Sequence, residues 1–206
     1  MFTNKLSRRE MLAMTGTLGA AFLLSAGKVK AAGEAVSTIT LTTDEKSDLA
    51  FMREEEKLAR DVYLTLHDIW GAPVFANIAS SEQQHMDAIL DLLNLYKLPD
   101  PAAGKLIGEF ANAELQALYE ALVARGKKSA LDALMVGGVI EETDIEDISA
   151  AMATSRLSNI DQVYQNLLNG SYNHLRAFAD NIQSLTGLPY VAQVVSQEIV
   201  DSILGS

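Results

Sequence analysis

Glu82 and His85 interrupt an apolar stripe. Ile78, Glu82, His85, Ile89, Leu92 and Tyr96 follow one another at alternating steps of four and three residues, the spacing of one helix face. Side chains three apart on a helix project to the same side, so this pair offers a carboxylate oxygen and an imidazole nitrogen to one centre. The pattern recurs in Leu49, Met52, Glu56, Ala59, Tyr63 and Leu66, and in Leu131, Leu134, Gly138, Glu141, Ile145, Ile148 and Met152. Shifting the third register by one residue exchanges Glu141 for Glu142, and Glu142 is the preferred choice. The fourth run is Ile160, Tyr164, Leu167, Ser171, His174 and Phe178. An ionised carboxylate withdrawn from water costs several kcal/mol unless it is paired or bound to a metal. Four seams carrying the same exception call for a shared partner, and a metal ion is the simplest.

The elements that must position these residues are helices. The first is expected from Thr43 or Asp44, one of which would cap it, to about Ile69, where Gly71-Ala72-Pro73 breaks the chain. Pro73 suits the first turn of a second helix that ends near Leu98, before Pro99-Asp100-Pro101. A shorter helix spans about Asn112–Ala124, a third long one Lys128–Thr154 and a fourth Ser158–Leu185, with Gly170 as a kink or break. A short last helix follows Gly187-Leu188-Pro189-Tyr190. No run alternates as a strand would, so the fold class is all-α, a four-helix bundle with one or two additional short helices.

Composition narrows the chemistry. The 206 residues are 49% hydrophobic and 21% charged, ordinary for a globular protein. Ser7-Arg8-Arg9 precedes an apolar run from Leu12 to Ala26 and the small residues Ala31, Ala32 and Gly33. This reads as a secretory signal of the twin-arginine type over 1–31, followed by a flexible leader over 32–42 and the helical domain over 43–206. Its removal would leave 11 basic against 26 acidic side chains, a balance that disfavours nucleic acid and anionic membranes. The expected location is periplasmic or otherwise exported, with no stable membrane insertion once the signal is gone. The absence of cysteine excludes disulfides and thiolate ligands, so a metal must be held by oxygen and nitrogen.

Glu54-Glu55-Glu56-Lys57-Leu58-Ala59-Arg60-Asp61-Val62-Tyr63 resembles the first-helix motif of rubrerythrins, and Glu82 to His85 is similar to their second-helix motif. Together with Gly138 to Ile145 and Gly170 to Phe178, these stretches make residues 45–185 look like a ferritin-like protein, in a bacterial and archaeal branch labelled a domain of unknown function. The resemblance implies a bundle that binds two iron or manganese ions. One departure stands out: Ser171 occupies the place of the fourth-helix Glu of dimetal proteins, so Asp144, Glu146 or Asp147 would have to replace it, or only one ion is held firmly.

The candidate metal ligands are therefore Glu56, Glu82, His85, Glu142 (with Glu141 as its alternative) and His174. Oxygen and nitrogen donors suit Fe or Mn, with Zn possible. Each has a plainer reading, which for Glu141 and Glu142 is a close helix contact followed by a solvated acidic face. Glu56 can pair with Arg60 one turn on, Glu82 and His85 can be helix-start residues if the helix begins at Ser81, and His174 can be a core histidine bonded to Tyr172 or Asn173. His67 lies several turns from Glu56 and is not expected in the site. Three functions follow: an exported metalloprotein reacting with dioxygen or peroxide, a non-catalytic periplasmic metal-binding protein, or a structural helical bundle without metal.

Overall fold

The computed structural model describes residues 40–205. The expected signal lies outside them, as does the leader up to residue 39. Six helices follow in order: α1 (Thr43–Trp70), α2 (Pro73–Leu95), α3 (Ala113–Gly126), α4 (Ala130–Thr154), α5 (Ser158–Thr186) and α6 (Gln197–Leu204). Among the described residues, no strand occurs and no helix is long and apolar enough to cross a membrane.

Local chemistry explains most boundaries. Thr42, one residue before the expected cap, starts α1 through a reciprocal capping box: its hydroxyl accepts from the Glu45 N–H at 3.1 Å, and its own N–H donates to the Glu45 carboxylate at 2.7 Å. Pro73 opens α2 without needing a donor, so Glu82 and His85 lie mid-helix and the helix-start reading of this pair falls away. α2 stops at Leu95, three residues short of the expected end. Asn112 caps α3 and Ser129 caps α4 through side-chain oxygens. α5 runs unbroken through Gly170, which corrects the kink or break expected there.

α1 packs along α2, and α4 along α5. α1 also meets α4, and α2 meets α5, which closes an apolar interior among the four long helices. α3 lies against α1 and α4, and α6 against α5. Bare backbone on α4 allows two close approaches: a side-chain carbon at Gly137 would fall 2.3 Å from the Phe178 ring, and one at Gly138 would fall 2.2 Å from the Tyr190 hydroxyl.

The outward side of α1 carries a second buried polar layer that straps down residues 96–112. Arg53 forks onto Asp100 at 3.0 and 3.1 Å and donates to the Met86 carbonyl at 2.7 Å. Glu54 accepts from the backbone N–H groups of Ala111 and Asn112, just ahead of α3. Lys57 donates to Asp61 and to the Leu106 carbonyl, and its ammonium sits 4.6 Å from the centre of the Phe110 ring. Asp61 also accepts from Arg60 and from the Gly108 N–H.

Candidate metal centre

Four helices bring five ionisable side chains together: Glu56 from α1, Glu82 and His85 from α2, Glu141 from α4 and His174 from α5. The steps of three and four residues seen in the sequence aim each one into the interior. Glu56, Glu82 and Glu141 are essentially closed to solvent, whereas the two imidazoles keep 12% and 10% of their side-chain surface.

Glu82 lies at the middle. Its Oε2 is 2.7 Å from His85 Nδ1 and its Oε1 is 2.8 Å from His174 Nδ1. His85 Nδ1 also reaches Glu56 Oε2 at 3.1 Å, and His174 Nδ1 lies 3.4 Å from Glu141 Oε2. The result is two donor triads, Glu56–Glu82–His85 and Glu82–Glu141–His174, with the donor atoms of each within 4.8 Å of one another. The imidazole planes are 30° apart with centroids 5.5 Å apart.

Each Nδ1 faces two carboxylates, yet a ring nitrogen has one hydrogen and can satisfy one of them. At the second triad the mismatch is complete: Glu82 Oε1, Glu141 Oε2 and His174 Nδ1 are buried and make no aligned hydrogen bond, despite lying within ion-pair distance. Orphaned buried acceptors are costly, and a cation among them would answer all of them at once. The donor set thus fits a divalent ion held by oxygen and nitrogen.

The groups around the triads are placed to orient them. His174 Nε2 lies 2.9 Å from the Ser81 hydroxyl, which leaves Nδ1 to face the carboxylates. Tyr63 donates to Glu141 Oε1 at 2.5 Å, with its ring 5.3 Å from that of Phe178. Arg60 does not pair with Glu56; it bonds Asp61 and Gln83 instead. His67 lies at the end of α1, with Nδ1 3.1 Å from the Ala72 carbonyl.

Burial opposes ionisation of Glu56 and pushes it up to about 7, against the pull of His85. It opposes Glu82 as well, but the close approach and charge of both imidazoles outweigh it and bring that group to about 2. Burial works against the imidazolium form too, and the facing carboxylates reverse it, raising His85 to about 11 and His174 to about 10. Burial raises Glu141 above the ordinary carboxylate range. Without an ion, the cluster therefore holds its charge balance with protons on both histidines.

The preferred register at 141/142 is corrected. Glu142 points away from the triads, and its carboxylate accepts from the Tyr190 hydroxyl at 2.6 Å and from the N–H groups of Gln193, Val194 and Val195 at 2.6 to 3.0 Å. It clamps the chain between α5 and α6 onto α4, and Glu141 takes the inward place. Ser171 is buried and turns its hydroxyl back to the Leu167 carbonyl at 3.2 Å, so α5 gives the cluster one donor, His174. Among the acids considered as substitutes, Glu146 is exposed, whereas Asp144 and Asp147 are buried. Asp144 lies within the electrostatic reach of Glu55, Glu56, Glu141 and Glu82, and burial followed by those charges raises its carboxyl well above the ordinary range. Sequence reasoning missed Ser81 and Gly170 as neighbours of the histidines. Ser81 signals itself only by preceding the seam position Glu82, and Gly170 by being a glycine in mid-helix before Ser171.

A relative with a solved structure shares this architecture. An uncharacterised protein of Methanocaldococcus jannaschii is 46% identical over 166 residues, covering 81% of this chain and 89% of its own. The crystal structure of that same Methanocaldococcus jannaschii protein superposes with a TM-score of 0.79 at 44% identity, covering 84% of this chain and 98% of that one. The pattern of one family, described as an uncharacterised protein domain, matches residues 45–206. The chain belongs to that family, DUF2202.

Proposed function

We propose that this protein is an exported, ferritin-like four-helix-bundle metalloprotein whose interior holds two divalent ions, iron or manganese, with Glu82 shared between them. The observation that carries the reading is the placement of Glu82, one oxygen toward His85 and the other toward His174, at the junction of two triads. Glu56 and His85 would complete one position, and Glu141 and His174 the other. Asp144 supplies the buried carboxylate nearest in role to the one that Ser171 lacks. Bound iron or manganese would supply one-electron chemistry toward dioxygen or peroxide. The chain's own residues hold the donors in place: Ser81 fixes the His174 ring, Tyr63 fixes Glu141, and the apolar interior excludes bulk water. The paired arginines at 8 and 9 support export, through a route able to carry a protein already folded around its ions.

A second reading, a metal-binding protein without turnover, draws on Ser171. With one donor from α5, the cluster offers five donor residues in all, enough to hold one ion firmly and a second more loosely. Elemental analysis of anaerobically purified protein, beside Glu82→Ala and His174→Ala, separates the readings. About two Fe or Mn per chain, abolished in Glu82→Ala and reduced to one in His174→Ala, supports the shared-carboxylate site. One ion per chain in the wild type, retained by His174→Ala, favours the mononuclear binding role. No ion after reconstitution removes the metal reading altogether.

A further inference from the structure

Gly170 sits in the middle of α5, where an alanine would be the better helix former. Its φ is ordinary for a helix, so no turn or strain asks for glycine there. What does ask for it is His85 on the facing helix: a side-chain carbon at position 170 would lie 2.5 Å from both Cε1 and Nε2 of that imidazole. Carbon and nitrogen do not approach so closely, and the ring rather than either backbone would have to give way. It has somewhere to go, because the two imidazoles are the members of the cluster with an edge toward solvent. Turned outward, His85 would lose the contacts of Nδ1 with Glu56 at 3.1 Å and Glu82 at 2.7 Å.

We infer that Gly170 is a positioning residue, kept without a side chain so that the His85 imidazole can lie across α5 and turn Nδ1 into the Glu56–Glu82 pair. The metal consequence rests on the function proposed above, while the placement of the ring does not. Gly170 and Ser171 then act as neighbours with different tasks: the first makes room for a donor from α2, and the second leaves α5 with His174 alone.

The test is Gly170→Ala, with Co(II) as the probe ion. A purely architectural glycine predicts a more stable apo protein with unchanged Co(II) binding, since alanine favours the helix. The positioning role predicts a folded protein with wild-type helical circular dichroism, a Co(II) affinity at least tenfold weaker at the position that Glu56 and His85 complete, and a changed d–d spectrum. Imidazole NMR of the apo protein reads the ring itself: His85 resonances should shift in Gly170→Ala while those of His67 stay in place. His85→Ala/Gly170→Ala removes the overlap and guards against a folding defect, and should be at least as thermostable as His85→Ala. Wild-type Co(II) affinity and spectrum in Gly170→Ala, with unmoved His85 resonances, would overturn the inference. If the wild type itself binds no Co(II), the metal reading fails, and the NMR comparison still decides the placement of His85.

Discussion

Two groups of buried ionisable side chains share α1 and differ in how their charges are answered. On the outward side, Lys57 and Asp61 are almost fully withdrawn from water, yet the ammonium has a carboxylate, a carbonyl and an aromatic face, and the carboxylate has Lys57, Arg60 and a backbone N–H. On the inward side, Glu56 joins a cluster in which two imidazoles serve three carboxylates and three buried atoms lack an aligned partner. Buried charge alone therefore does not make the inward cluster a candidate for an ion. What sets it apart from the outward layer is that its own donors and acceptors do not add up, a deficit uncommon among buried polar groups.

The largest contrast should come from pH. His85 and His174 are raised from 6.5 to about 11 and about 10, so in the apo protein their pairing contributes stability that is fully present below 6.5 and is lost as pH rises through 10 to 11. Glu56 acts in the same direction, its contribution present below 4.5 and lost as pH rises through about 7. Glu82 acts oppositely, and its contribution is lost only as pH falls from 4.5 through about 2. Apo thermal stability should thus decline from neutral to alkaline pH. Mn(II) affinity should rise over the same range, by about tenfold per pH unit for each proton displaced. Parallel calorimetric titrations check both, and a pH-independent affinity between pH 6.5 and 9 would break the link between the protonated histidines and the ion site.

Next in size is the outward layer. Asp61→Ala leaves Lys57 buried without its counter-charge and strands the Gly108 N–H, so unfolding free energy should drop by about 3–5 kcal/mol. Chemical denaturation measures the loss, and the metal content of the folded protein should be unchanged. A variant that loses metal in proportion would show the two layers to be one. The smallest effect is expected at Ser81→Ala, which removes the partner of His174 Nε2 and leaves both triads in place. Orienting groups of this kind are worth roughly 10–100-fold in metal affinity, with little change in apo stability.

The three carboxylates of the cluster are not equally dispensable in the apo state. Because Glu82 faces both imidazoles, deleting it strips two protonated rings of their common partner. Glu56 and Glu141, whose ionisation burial opposes, are the carboxylates whose neutral isosteres the apo protein should tolerate best.

Much of the site was legible because helical periodicity is local. Steps of three and four fix which side chains share a face regardless of what that face meets, so Glu56, Glu82, His85 and His174 stood out before any packing was known. The break at Gly71 to Pro73 and the proline start of α2 were legible for the same reason: they depend on backbone chemistry within one turn. The choice between Glu141 and Glu142 was not. Successive residues lie about 100° apart on a helix, and both flanked the seam. The choice was made by a segment fifty residues downstream, whose N–H groups and Tyr190 hydroxyl converge on Glu142.

The same limit applies to Gly170, whose composition suggested a break while its meaning lay in the ring of another helix. It applies as well to Arg60, which has a carboxylate one turn back on its own helix and bonds Asp61 and Gln83 instead. The sequence by itself determined that the chain is helical, where most helices begin and end, and that acids and histidines occupy inward positions, since each depends on residues within a turn or two. Only the tertiary structure decided which of them meet, which stand unanswered and which are spent on holding loops, because those outcomes depend on contacts between helices far apart in the chain.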